Sequence, residues 1–274
     1  MADVDTLVRR LRAAGCVFAE DEAALLLDET PDPDELERRT ARRVGGEPLE
    51  QVLGWAAFAG LRVHVEPGVF VPRRRSELLV TEAVARVRPG AVVADLCCGT
   101  GAVGLAVATA VPGVDLHAVD LDPVAVRCAR RNLAAVGGHV HAGDVADALP
   151  VTLLGGVDVV VANAPYVPTA AIAGMPPEAR DHEPAVALDG GVDGVDVQRR
   201  VVAAAARWLR PGGTLLVETG EDQVPLTAAA FAAHGFDPVA VRDEEHDATV
   251  VVGTLRADHA PDRPAAPQSP GDPA

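Results

Sequence analysis

The chain has 274 residues, of which 49% are hydrophobic and 23% are charged. This balance excludes a wholly disordered protein and supplies enough apolar side chains for a core without disulfides or metals. Its 24 basic and 40 acidic residues give a net charge of -16, which repels nucleic-acid backbones and anionic membrane surfaces. We therefore expect no stable nucleic-acid binding and no membrane association. The four cysteines lack zinc or redox spacing and no secretory signal opens the chain, so we expect a reduced, cytoplasmic protein, and a monomer.

The first 80 residues are predicted to form two small units. Apolar side chains at helical spacing over residues 4–29 predict a helical N-terminal module that spans residues 1–44. Its last helix, over residues 35–44, is expected to be capped by Asp34. Glycine and proline punctuation then predicts a β-hairpin linker over residues 45–80. The β-prone runs of this linker are residues 61–65 and 69–71.

Strands and helices alternate over residues 81–256, and this pattern predicts an α/β fold with a largely parallel sheet. The expected strands are residues 91–96, 114–119, 139–142, 157–162, 214–218, 237–241 and 249–254. The expected helices are residues 102–111, 123–136, 195–209 and 222–234. The remaining residues, 257–274, are rich in Pro, Asp and Ala and are expected to be disordered.

A glycine-containing loop follows the first strand of this sheet, which is where open α/β sheets bind ligands. It runs from Asp95 through Cys97 and Gly99 to Gly101, and Asp120 ends the next strand at the distance expected of a ribose-binding acid. The glycine pattern alone does not separate a nicotinamide from S-adenosylmethionine. Asp95 favours S-adenosylmethionine, because an acid there suits a sulfonium and an amino group and is poorly placed beside a pyrophosphate.

Two further residues are assigned to this cofactor site by their positions after neighbouring strands. Asp144 follows the third strand and is expected to contact the adenine. Asn163 follows strand 157–162, beside the cofactor loop. Cys97 and Cys98 have no assigned base and are expected to pack the loop rather than to act as nucleophiles.

The tetrapeptide Asn163, Ala164, Pro165, Tyr166 ends strand 157–162 and predicts an acceptor site. An amide or aromatic amine nitrogen is a poor nucleophile because its lone pair is delocalised. Two acceptors aimed at its two hydrogens, the Asn163 side-chain oxygen and the Ala164 carbonyl, would orient the group and draw the lone pair out of conjugation. Tyr166 would stack on a planar acceptor. We therefore predict that Asn163 and Tyr166 are catalytic.

These motifs resemble the protein N(5)-glutamine methyltransferases of the HemK/PrmC type, which methylate the glutamine of the Gly-Gly-Gln loop of peptide-chain release factors. The resemblance covers about residues 42–254 and rests on the cofactor loop, the Asn163 to Tyr166 turn and several flanking residues. The flanking residues are Gly46, Glu47, Pro48, Gly54, Pro67, Gly68, Pro72, Arg73, Glu77, Glu183, Pro184, Ala187, Leu188, Asp193, Gly194, Pro211, Gly212, Gly213 and Glu218. It implies a class I S-adenosylmethionine-dependent methyltransferase fold, with a seven-stranded mostly parallel sheet, a helical N-terminal domain and a hairpin linker. It also implies a release-factor partner, and places Arg73 and Glu77 in the substrate site.

The chain departs from this family at three places. Ala164 replaces the first of two prolines, Cys97 replaces the first loop glycine, and Arg74, Arg75 and Ser76 stand where the family usually has Pro, an acid and Thr. Ala164 keeps its carbonyl, so we expect the chemistry to be retained. The alternatives are a DNA or RNA amino-methyltransferase, which uses a similar turn, and a cofactor-binding paralogue without turnover.

His139 and His141 share one face of a predicted strand, as two metal ligands would. The sequence shows no third ligand beside them. We therefore predict no metal site.

Overall fold

The computed structural model describes residues 4–258, and its N-terminal part is a small helical unit. Its core is built from apolar side chains that include Leu11 and Leu26, both fully buried. The cap prediction was wrong: Asp32, not Asp34, accepts the capping bond, and Pro33 takes the first helical position. The rigid φ of proline suits that position, so the helix starts two residues early. The helices are α1 (Val4–Ala13), α2 (Ala19–Glu29), α3 (Pro33–Val44) and α4 (Leu49–Leu53).

The linker contains an antiparallel hairpin, β1 (Trp55–Phe58) and β2 (Leu61–His64). Its two-residue turn, Ala59 and Gly60, has positive φ at both positions, which matches the right-handed twist of the strands. The second β-prone run, residues 69–71, is not a strand, because the Val71 amide donates to a side chain instead of a neighbouring strand. Helix α5 (Glu77–Val84) crosses the expected boundary at residues 80 and 81.

The larger part of the chain is a seven-stranded sheet in the order β5-β4-β3-β6-β7-β9-β8. The first five strands in this order are parallel, and β9 is antiparallel to both β7 and β8. The strands are β3 (Val92–Leu96), β4 (Asp115–Asp120), β5 (His139–Ala142), β6 (Val157–Ala162), β7 (Leu209–Glu218), β8 (Phe236–Asp243) and β9 (Ala248–Leu255). The helices are α6 (Ala102–Ala110), α7 (Pro123–Leu133), α8 (Pro177–His182), α9 (Asp196–Trp208) and α10 (Val224–Ala233). The predicted sheet is therefore confirmed.

Each face of this sheet carries its own apolar core. Helices α5 and α6 pack on one face, where Val93 and Val107 are fully buried. Helices α9 and α10 pack on the other, where Val160 and Phe231 are fully buried. The chain adds β4 and β5 on one side of β3 and then returns to add β6 on the other side, so the strand order reverses between β3 and β6. Folds of this kind bind ligands in the crevice at the carboxyl ends of the strands at such a reversal.

Two expectations concern the ends of the chain and its relation to membranes. The predicted disordered tail lies largely outside the described residues, which end at residue 258. Within residues 4–258, no helix has the length and apolar character needed to cross a membrane.

Candidate active site

A cavity of about 660 Å³ opens at the carboxyl ends of β3, β4 and β6. Asp95, Asp120 and Asp144 line one end of it, and the Asn163 to Tyr166 turn lines the other. The walls between them come from the linker and from residues 175–188. The structure therefore brings the predicted cofactor and acceptor residues into one enclosure.

Asp120 holds the glycine loop in place from the neighbouring strand. Its Oδ2 accepts from the Gly99 amide at 2.7 Å, and its Oδ1 accepts from the Asp122 amide at 2.9 Å. Cys97 adopts a left-handed backbone, with φ of 57°, at the position where the family has glycine. Burial raises the pKa of both loop thiols, which keeps them protonated and supports a packing role.

Gly101 is the position at which this loop meets α7 most closely. Its φ is +74°, and a Cβ there would lie 3.2 Å from the side chain of Leu133. A glycine is therefore needed both for backbone conformation and for space.

Asp95 is a buried carboxylate at the floor of the cavity. It is only 2% exposed, and its Oδ2 accepts from the Gly104 amide at 2.9 Å. Burial raises its pKa to about 7, which nearby Asp120 reinforces. Within residues 4–258 this carboxylate has no ion-pair partner, so the cavity floor fits a positively charged ligand group.

Asp144 lies at the mouth of the cavity and is half exposed. Its Oδ2 is 2.5 Å from Arg200 Nη2 of α9, so an ion pair joins the loop after β5 to the helix layer. The predicted adenine contact remains a prediction, and Arg200 is a cavity residue that sequence reasoning missed.

The acceptor turn is anchored so that two of its oxygens have no hydrogen-bond donor among the described residues. Asn163 Nδ2 donates to Ser76 Oγ at 3.0 Å, which turns Oδ1 away from Ser76. Ala164 is fully buried. No described residue donates a hydrogen bond to Asn163 Oδ1 or to the Ala164 carbonyl. These are the two acceptors that the sequence assigned to the substrate NH2.

The backbone of this turn is also held from the next loop. Gln223 Nε2 donates to the Tyr166 carbonyl at 2.8 Å, and a Cβ on Gly194 would lie 2.5 Å from the same oxygen. Sequence reasoning did not assign Gln223. Nothing in the sequence marks Gln223 as a site residue, because its role depends on a contact with a residue 57 positions away.

Glu218 is a buried carboxylate that contacts side chains around the acceptor turn. It is 2% exposed, and Tyr166 donates its hydroxyl to Glu218 Oε1 at 3.2 Å. Arg75 Nε lies 3.5 Å from the same oxygen. Burial raises the pKa of Glu218 and of Tyr166. The Arg75 guanidinium lies 5.6 Å from the centre of the Tyr166 ring, a distance suited to a cation–π contact.

The two linker residues assigned to the substrate site fall in different places. Arg73 lines the cavity and is 2.5 Å from the buried Glu183. Glu77 does not line the cavity: its Oε1 accepts from the Ala59 amide at 2.9 Å and so stabilises the hairpin turn. Arg73 therefore lies at the cavity, whereas Glu77 lies outside it and supports the hairpin.

Comparison with known proteins agrees with this architecture. The family model "Methyltransferase small domain" matches residues 60–175. A release factor glutamine methyltransferase of Mycolicibacterium smegmatis is 44% identical over 236 residues, which cover 84% of this chain and 82% of the relative. The chain belongs to the release factor glutamine methyltransferase family. The resemblance drawn from the sequence is therefore confirmed.

Two further similarities bear on the acceptor and on the cofactor. A 4-amino-L-phenylalanine/4-methylamino-L-phenylalanine methyltransferase of Streptomyces pristinaespiralis is 38% identical, with 83% of this chain and 79% of the relative covered. A 16S rRNA methyltransferase of T. thermophilus, solved with AdoMet and guanosine, aligns with a TM-score of 0.53 and 25% identity over 74% of this chain and 50% of that one. This chain is thus an S-adenosylmethionine-dependent methyltransferase of class I fold.

Proposed function

We propose that this protein transfers a methyl group from S-adenosylmethionine to the side-chain amide nitrogen of a protein glutamine, the glutamine of a release-factor Gly-Gly-Gln loop. The observation that carries the proposal is the pair of available oxygens, Asn163 Oδ1 and Ala164 O, in one cavity with the cofactor loop. They match the two hydrogens of a primary amide. The replacement of proline by Ala164 leaves this carbonyl in place.

The cofactor end of the cavity fits S-adenosylmethionine. When bound there, this cofactor supplies an electrophilic methyl group on a sulfonium. Asp95 would hold its positive charge, since the buried carboxylate has no cationic partner among the described residues. Asp120 would bind the ribose hydroxyls while its backbone bonds keep the Gly99 loop in shape. Asp144 would contact the adenine beside its ion pair with Arg200.

At the acceptor end, orientation of the nucleophile is the main contribution. Asn163 and Ala164 would each accept one N–H of the glutamine amide, and these bonds strengthen as the nitrogen loses its conjugation. The Tyr166 ring would lie along the amide plane, and Arg73 and Pro165 would line the entry. The product nitrogen sheds its proton to water or to Asn163 Oδ1, so no strong base is required.

Ser76 keeps Asn163 in the productive orientation. An asparagine amide can place either its oxygen or its nitrogen toward a ligand. The bond from Nδ2 to Ser76 Oγ fixes the nitrogen on the linker side. Glu218 in turn accepts the Tyr166 hydroxyl, so a buried side chain holds each of the two proposed catalytic residues.

Mass spectrometry of a release factor incubated with the full chain and cofactor tests the proposal. We expect one added methyl group on the Gly-Gly-Gln glutamine, and none when Asn163→Ala replaces the wild type at equal cofactor affinity. If 4-amino-L-phenylalanine is methylated and the release factor is not, the methyl-transfer chemistry stands and the proposal of a glutamine acceptor is overturned. Cofactor binding with no methyl transfer to either acceptor would support the silent paralogue.

A further inference from the structure

A group of three imidazoles and one carboxylate lies at the edge of the sheet, away from the cavity. Asp115 and His117 belong to β4, and His139 and His141 belong to the edge strand β5. Parallel pairing places His117 opposite His139, and residues two apart along a strand share a face. The neighbouring strand therefore supplies potential ligands that the sequence did not show beside His139 and His141.

The sheet separates this group from the methyl-transfer site. Asp115 begins β4, whereas Asp120, which lines the cavity, ends it. Five residues of strand at about 3.3 Å each put the Cα atoms of these two residues about 16 Å apart. The group is thus a separate feature and plays no part in the proposed reaction.

Three of its atoms are spaced for a shared metal ion. Asp115 Oδ1 lies 3.2 Å from His117 Nε2 and 3.9 Å from His139 Nε2, and all three atoms lie within 4.8 Å of one another. Zinc bonds of about 2.0–2.1 Å in a tetrahedron put neighbouring ligand atoms about 3.3–3.4 Å apart. The side chains of Asp115 and His139 are 48% and 60% exposed. They can therefore move the few tenths of an ångström that separate the present spacing from the zinc geometry, and an ion can reach them.

The fourth residue of the group orients a ligand. His141 Nε2 lies 3.1 Å from His117 Nδ1. When His117 donates from Nδ1 in this contact, its Nε2 is left with a lone pair facing Asp115, which is the form that binds a metal. A partner on the second ring nitrogen is the usual support of a metal-bound histidine.

A second group of potential ligands, His64, Glu66 and Cys128, lacks these properties. The Cys128 thiol is buried and donates to the His64 carbonyl at 3.2 Å. A thiol that keeps its proton is a poor ligand, because zinc binds the thiolate. This group serves as the internal comparison.

We propose that Asp115, His117 and His139 form a binding site for a divalent transition-metal ion, Zn²⁺ being the ion best suited to two imidazoles and one carboxylate. A water molecule completes the tetrahedron. Because the ligands come from two adjacent strands, a bound ion ties the edge strand β5 to β4. Zinc binding therefore stabilises the folded chain.

Calorimetric titration of the chelator-treated full chain with zinc chloride tests this site. A second measurement is the melting temperature with free zinc at 100 times its Kd. We expect one site and a rise in Tm of about 5 °C. His139→Gln and Asp115→Asn each should weaken binding at least tenfold and remove the rise. Both residues are exposed, so their replacement leaves the fold intact.

Two control variants locate the ion. Glu66→Gln, in the comparison group, and His234→Gln, a histidine outside both groups, should bind zinc as the wild type does. Binding that survives His139→Gln, or that is lost in Glu66→Gln, would place the ion elsewhere and overturn the proposal. So would the absence of zinc binding in this titration.

Discussion

Replacement of Ser76 tests whether the orientation of one amide limits the reaction. Ser76 is 2% exposed and accepts from Asn163 Nδ2 at 3.0 Å. In Ser76→Ala, the Asn163 nitrogen either stays in place without a partner or turns into the cavity, which removes Oδ1 from the substrate. Leaving a buried donor unpaired costs about 1–3 kcal/mol. At 1.36 kcal/mol per tenfold in rate, we expect kcat to fall about ten- to hundredfold.

The assay is methyl transfer to the release factor under saturating cofactor, with cofactor affinity measured separately by calorimetry. We expect cofactor Kd to stay within twofold of wild type, since Ser76 contacts the acceptor turn and not the glycine loop. Ser76→Thr is the matched control, because it keeps the hydroxyl and is the residue that the family usually has. We expect it to retain most of kcat.

A double-variant cycle separates orientation from general loss of structure. If Ser76 acts through Asn163, then Ser76→Ala should lower kcat little further in an Asn163→Ala background. A Ser76→Ala enzyme with kcat within twofold of wild type would refute the orienting role. Equal losses in the Ala and Thr variants would show that packing, not the hydroxyl, matters.

Three further changes probe the cofactor end. Asp120→Ala removes the carboxylate that holds Gly99 and faces the ribose site, so cofactor Kd measured by calorimetry should rise at least tenfold, and an unchanged Kd would contradict its assignment. Burial raises the pKa of Asp95 to about 7 from 3.8, so the free chain carries a proton there at pH 6 that a cationic cofactor displaces. Affinity should rise about eightfold from pH 6 to 7.5, and a dependence that persists in Asp95→Asn would arise from another group. Gly101→Ala should lower the free energy of unfolding in urea by about 1–3 kcal/mol more than Gly99→Ala, because both glycines have positive φ but only Gly101 would crowd Leu133. Equal losses would show that backbone strain alone is measured.

The parallel sheet could be predicted because its signal is local. Each buried strand is a short apolar run, and punctuation by glycine, proline and acids marks its end. The same local signal predicted that Asp95, Asp120 and Asn163 lie together. Asp95 and Asp120 lie at the carboxyl ends of β3 and β4, Asn163 follows β6, and all three line one cavity because strand ends converge in this fold. Their roles in binding stay predictions. Helix α5 was not predicted, although Ser76 stands at its N-cap position; in the structure the Ser76 side chain makes no capping hydrogen bond.

The residues that could not be predicted act across long stretches of sequence. Ser76 contacts Asn163 over 87 positions, and Glu183 contacts Arg73 over 110. Neither pair has a spacing signal, because the contact depends on how the linker folds back on the sheet. Glu218 offered a weak local signal, a carboxylate at the end of an apolar strand, and it was used only as part of the resemblance.

The linker forms one wall of the acceptor site as well as connecting the two parts of the chain. Its Arg73 is paired with Glu183, its Ser76 with Asn163, and its Arg75 with Glu218. Two of the three positions at which the chain departs from its family within this stretch therefore face the turn that would receive the substrate, and only the exposed Arg74 does not. Ser76 keeps the hydroxyl of the usual threonine, whereas Arg75 replaces an acid and brings a guanidinium to the Tyr166 ring. Substrate preference should thus change most with the charge of residue 75, while the methyl-transfer step depends on Ser76 and Asn163.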